Sequence, residues 1–122
     1  MKKMIDYEEF LNKKDKFILD ENNNAIPANL MEWGEFYKNK KRCRVKRDII
    51  NGMLISTIFI GIDNNFYLDD EDHKPHIFET MVFKEGSYLE NYCDRCSTWQ
   101  EAEECHKKAV QWVKDGCKED DL

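Results

Sequence analysis

The side chains best equipped for chemistry gather late in the chain. Cys93-x-x-Cys96 stands just ahead of a segment carrying adjacent Cys105 and His106. Zinc takes about four sulfur or nitrogen donors in a tetrahedron, and a C-x-x-C pair is the usual first half of such a site. The second half is incomplete, since neither another C-x-x-C nor an H-x-x-x-H follows. For Cys93 to join Cys105, the chain must also fold back along a helix. A structural zinc on Cys93, Cys96, Cys105 and His106 therefore stands beside a plainer reading, reduced thiols with no cofactor. Redox chemistry lacks the βαβ setting that usually surrounds a C-x-x-C.

His106 also lies close to the centre of an apolar helical stripe, taking 100° per residue. Paired with a carboxylate, it could act as an acid or base. Glu79, on a strand otherwise apolar at Ile77, Met81 and Phe83, is one candidate partner, and Asp63, at the end of a long apolar strand, is another. Asp63, Glu79 and His106 are thus the ligand-binding candidates. The alternative is a buried structural pair. No nucleophile motif and no Gly-rich phosphate loop accompany them.

Net charge is −6, unevenly spread. Residues 1–50 carry 12 Lys/Arg against 9 Asp/Glu, a balance of +3, whereas residues 51–122 carry 7 against 16, a balance of −9. The basic part is concentrated in Lys38 to Arg47, where seven of ten residues are Lys or Arg. It reads as a solvated strand edge that discourages edge-to-edge pairing, or as a phosphate contact. Aromatics interleaved with the charges, as in single-strand nucleic-acid platforms, are missing. Asp69, Asp70, Glu71 and Asp72 form an acidic stretch without EF-hand spacing, so calcium is not expected. They are a plain solvated loop or a contact surface for a basic partner. The acidic second part weighs against direct nucleic-acid binding and favours protein partners with basic surfaces.

The elements that must hold these residues are legible from periodicity. Asp6 can cap a short helix to about Asn12, with Tyr7, Phe10 and Leu11 on one side. Phe17-Ile18-Leu19 runs into the turn signal Asp20 to Asn24. Asn29-x-x-Glu32 is a capping-box pattern, followed by Leu30, Trp33, Phe36 and Tyr37 at helical spacing. From Cys43 the period becomes two: Cys43, Val45 and Ile49 alternate with Arg44, Lys46 and Asp48, which places the charged set outward. Asn51-Gly52 predicts a type I′ hairpin turn. Met53 to Ile62 reads as a central strand covered on both faces, with Ser56 and Thr57 its only polar members. Asp63 to Pro75 is a loop, His76 to Phe83 a third strand, and Ser87 to about Tyr92 a fourth. Thr98-x-x-Glu101 opens the clearest helix, whose stripe is Trp99, Ala102, His106, Ala109, Val110 and Val113, and Gly116 closes it.

The order predicts an α+β fold: an antiparallel sheet of three to four strands with N-terminal helices and a C-terminal helix packed on it. At 122 residues it forms one domain, 1–122, with 1–16 and 116–122 peripheral. Met1 to Asp6 has no apolar stretch behind its basic residues, and no run is long and apolar enough for a membrane span. With five cysteines, an odd count, the expectation is a cytoplasmic chain with reduced thiols.

Several segments together resemble a family of small phage and prophage proteins of unassigned function: Leu54-Ile55-Ser56-Thr57-Ile58-Phe59-Ile60-Gly61-Ile62-Asp63-Asn64-Asn65-Phe66, then Pro75-His76-Ile77-Phe78-Glu79-Thr80-Met81-Val82-Phe83, then Ser97-Thr98-Trp99-Gln100-Glu101-Ala102 with His106, and upstream Ile18-Leu19-Asp20, Pro27 and Leu30-Met31-Glu32-Trp33. Where that family often has a histidine after the aspartate, this chain has Asn64, which weakens any catalytic or metal role hung on such a histidine. The resemblance implies viral origin, a host cytoplasm and a non-enzymatic accessory protein that binds a host macromolecule. A component of antiviral defence, such as a nuclease that binds nucleic acid, is the expected target. A small-ligand or nucleotide-binding domain and a zinc-stabilised interaction domain are the alternatives, and homodimerisation is open.

Overall fold

The computed structural model describes residues 6–63, 74–84 and 90–117, with backbone alone at Glu90, Asn91 and Cys93. The acidic stretch Asp69 to Asp72 and the end of the chain from Lys118 lie outside the described residues. The elements are α1 (Tyr7–Asn12), β1 (Lys16–Leu19), β2 (Ala25–Ala28), α2 (Leu30–Tyr37) and α3 (Lys40–Cys43), followed by β3 (Arg44–Ile50), β4 (Met53–Phe59), β5 (Phe78–Lys84), β6 (Glu90–Cys96) and α4 (Trp99–Lys114). Strands β3-β4-β5-β6 form one antiparallel sheet in that order, and α4 packs against all four. A separate hairpin, β1-β2, carries α2. This is the predicted α+β architecture with its C-terminal helix.

Local chemistry explains most of the boundaries. Both capping boxes close: the side chains of Asn29 and Thr98 accept from the backbone N–H of Glu32 and Glu101, whose carboxylates accept in return from the cap N–H groups. Asn51 and Gly52 have φ of 52° and 76°, and Ile50 faces Met53 across the two-residue turn. At the end of α4, Gly116 N–H donates to the Val113 carbonyl and Cys117 N–H to that of Trp112, with φ of 86° at Gly116. This double closure satisfies carbonyls that the helix itself leaves free.

Three features differ from the sequence reading, the first a strand that it left unassigned. Ala25–Ala28 pairs with β1 as a strand, with Pro27 opposite Phe17; a two-stranded sheet offers the edge positions that proline tolerates. The fourth strand, Glu90–Cys96, runs past the expected end at Tyr92, so the C-x-x-C lies on a strand, and the expected start at Ser87 lies outside the described residues. The third concerns β3. Arg44 faces Ile58 but Lys46 faces Thr57, so Val45 is an extra residue, a bulge. Past it the alternation reverses. Lys46, Asp48 and Ile50 share the α4 side with Ile55 and Thr57, whereas Ile49 is 69% exposed.

The core lies between the sheet and α4. Toward one end, Phe59, Phe78, Ile77 and Ala102 are buried with Trp99 against them, and the Phe59 and Phe78 rings are 5.1 Å apart. Toward the other, Ile55, Val82, Ala109 and Val113 pack with Tyr92 and Trp112. The opposite sheet face is only half covered: Leu54, Ile58, Met81 and Phe83 are partly exposed, so β4 is not buried on both sides as its composition suggested. Gly61, at φ 69°, joins sheet to hairpin. Its carbonyl accepts from Phe17 N–H at 2.9 Å, and the Trp33 indole N–H donates to the Ile60 carbonyl at 3.0 Å.

Candidate functional site

His106 is the centre of the site, and its partners are not the predicted ones. Between the two halves of the core, Thr57 of β4 and Thr80 of β5 face each other in register. Their hydroxyl oxygens are 2.7 Å apart. Thr57 Oγ1 is also 2.7 Å from His106 Nδ1, and His106 Nε2 is 2.7 Å from Asp48 Oδ2. Thr57 is 0% exposed and His106 1%, while the Asp48 side chain reaches solvent at 38%.

Proton bookkeeping fixes the direction of most of this chain. An ionised Asp48 only accepts, so His106 Nε2 carries a hydrogen. With a neutral ring, Nδ1 accepts from the Thr57 hydroxyl, and Thr57 accepts in turn from Thr80. Each buried polar atom is then satisfied, in keeping with the absence of orphaned side-chain donors or acceptors among the described residues. The order carboxylate, imidazole, hydroxyl is that of a nucleophilic triad. A nucleophile, however, must meet a substrate carbonyl. The Thr57 hydroxyl is sealed under α4 and shared with Thr80, so the network holds the helix on the sheet instead.

The three ligand-binding candidates are not brought together. Glu79 precedes Thr80 on β5, and successive strand residues point to opposite faces. Its Oε2 lies 3.1 Å from Arg95 Nε on the neighbouring β6, a pair remote from the imidazole. Asp63 lies past β4, where its Oδ1 is 3.4 Å from His76 N–H.

The thiols divide similarly. Cys96 and Cys105 meet at the seam between β6 and α4, lining one shallow groove together. Burial raises the pKa of both, and for Cys96 the adjacent Cys105 adds to the effect, so both stay protonated near neutrality. Cys93 sits on β6 opposite Met81. His106 has both ring nitrogens engaged elsewhere, and among the described residues no cluster of three or more His, Cys, Asp or Glu side chains is placed to hold a metal.

The basic run is partly structural. Arg42 donates to Asn23 Oδ1 at 2.7 Å and to the Asp20 carbonyl, tying α3 to the β1-β2 turn. Lys40 sits over the Tyr37 ring at 4.1 Å. Lys46 instead borders a groove between β3 and α4 that Asp48 and His106 also line.

Set against protein-family models, curated proteins and solved structures, the chain matches none.

Asp48, Thr57 and Thr80 are the residues that sequence reasoning missed. Thr57 and Thr80 carried a signal: lone hydroxyls at inward positions of apolar strands, with a lone imidazole in an apolar helix stripe. Asp48 carried none, because the bulge at Val45 turns it toward the core side against the apparent alternation.

Proposed function

We propose that this chain acts by binding a macromolecular partner and performs no chemistry at His106. The observation that carries this reading is the closed chain from Asp48 through His106 and Thr57 to Thr80, in which the one hydroxyl placed like a nucleophile is fully buried. Paired, desolvated polar groups of this kind shape a scaffold.

The partner class follows from charge. Residues 51–122 carry the −9 balance, including Asp69 to Asp72, and suit a basic surface such as a nucleic-acid-binding protein presents. Together with the resemblance to phage and prophage proteins, this makes a host defence nuclease the favoured target, occupied where it would hold nucleic acid. Affinity capture from bacterial lysate tests it. A basic nucleic-acid-binding protein should be retained at low salt, released near 0.5 M salt, where screening extends to about 4 Å, and displaced by added DNA. Retention that ignores both salt and replacement of Asp69, Asp70, Glu71 and Asp72 by their amides would exclude the acidic-surface mechanism.

A further inference from the structure

The groove between β3 and α4 has a chemistry that the binding reading does not use. It is an open groove of about 380 Å³, within the range of small-molecule sites. Lys46 enters from the edge strand, and Lys107 and Lys114 come from α4. Among the described residues no carboxylate pairs with Lys46 or Lys114, and Lys107 meets only the exposed Glu104, at 3.3 Å. Ile50 and Val110 supply an apolar wall. Between Lys46 and Ile50 on the same face of β3 stands Asp48, whose Oδ2 is held by the buried His106 ring at 2.7 Å. Its other oxygen belongs to a carboxylate whose side chain is 38% exposed.

Three cations alone would describe a generic anion patch. An anchored carboxylate among them changes the specification, since it repels a bare anion and offers an acceptor to a hydroxyl group. A ligand satisfying both the lysines and the carboxylate carries a phosphate and hydroxyl groups on a ring that fits the apolar wall. We propose that this groove binds a sugar phosphate or the sugar-phosphate part of a mononucleotide, with the phosphate on Lys46, Lys107 and Lys114 and a sugar hydroxyl donating to Asp48. His106 positions that acceptor through Nε2 and does not touch the ligand. The proposal stands independently of the macromolecular partner.

The test is an NMR titration of the intact protein with ribose 5-phosphate, inorganic phosphate and ribose at up to about 10 mM, a range that detects millimolar binding. Ribose 5-phosphate should shift amides of β3 and of α4 around Lys107 to Lys114, and bind more tightly than either fragment. Replacing Lys46 and Lys114 together by alanine, both exposed and outside the core, should weaken it about tenfold or more. Asp48→Asn, which keeps an acceptor for His106, should weaken ribose 5-phosphate while leaving inorganic phosphate unchanged or tighter. No shifts in the groove, equal affinity for inorganic phosphate, or indifference to the double lysine replacement would each overturn the proposal.

Discussion

The Thr57 hydroxyl serves two partners in a dry interior, which makes it the most sensitive atom of the site. Thr57→Val keeps the shape but leaves His106 Nδ1 without a donor and Thr80 without an acceptor. A buried unsatisfied group costs about 1–3 kcal/mol, so denaturant unfolding of this variant should show a loss of that size. A loss under about 0.5 kcal/mol would mean the network contributes little. The thiols give a pH dependence of known sign. Cys96 has its pKa raised by burial and by Cys105 from the ordinary 9.0, so the folded chain holds a proton that the unfolded chain releases. Its contribution is fully present below that value and is lost as pH rises above it. Stability of the reduced protein should therefore fall on the alkaline side, and Cys96→Ala should flatten the fall relative to wild type. Parallel curves for the two proteins would remove Cys96 as its cause.

At the scale of elements, two backbone positions decide how the pieces meet. A Cβ on Gly61 would stand 2.5 Å from the Phe17 carbonyl oxygen and 2.7 Å from the Trp33 indole nitrogen, in a left-handed conformation that already disfavours side chains. Gly61→Ala should cost about 2–4 kcal/mol, the conformational and overpacking penalties together. Gly116→Ala shares the positive φ but meets open space, so about 1 kcal/mol is expected there. Equal losses at the two positions would show that the crowding at Gly61 relaxes. The bulge at Val45 is the other position. It leaves Ile49 on the outside, so Ile49→Ser should change stability by about 0.5 kcal/mol or less, whereas Ile55→Ala should cost about 2–5 kcal/mol. Capping boxes, the Asn-Gly turn and the stripe of α4 were legible because each is a local pattern with a local cause. The Val45 bulge was not. A one-residue insertion in the ladder leaves the residue types unchanged while moving every later side chain to the other face. Asp48 was misplaced for that reason, and with it the true partner of His106. Glu79 has a different reason for not meeting His106: it differs from Thr80 by one step along β5, and strand parity alone sends it to Arg95.

On the scale of the whole molecule, the sheet shows two different faces. One is covered by α4, while the other keeps Leu54, Ile58, Met81 and Phe83 partly open beside the Glu79–Arg95 pair. The −9 balance of residues 51–122 is what would steer the proposed basic partner. Association governed in this way should slow steeply with ionic strength, while dissociation changes little. Stopped-flow mixing with the captured partner at two salt concentrations would check it, and a salt-independent association rate would contradict it.

The Thr80–Thr57–His106 layer also bears on how many ways the same chain could have collapsed. Without it, the centre of the sheet facing Ala102, Ala109 and Val113 would be apolar, and a slide of one helical turn, about 5.4 Å, would keep these residues on hydrocarbon. With it, any such slide strands an imidazole among hydrocarbon and leaves two hydroxyls unmatched. The layer acts as a notch that admits a single seating of the helix. A chain with Thr57→Val, Thr80→Val and His106→Leu together should therefore lose little thermal stability, since well-packed apolar groups replace a buried polar set at small cost. Its methyl NMR spectrum should instead broaden, and it should bind the dye ANS, as helices seated in several positions would. A sharp native spectrum from that triple variant would mean that side-chain shape alone selects the seating.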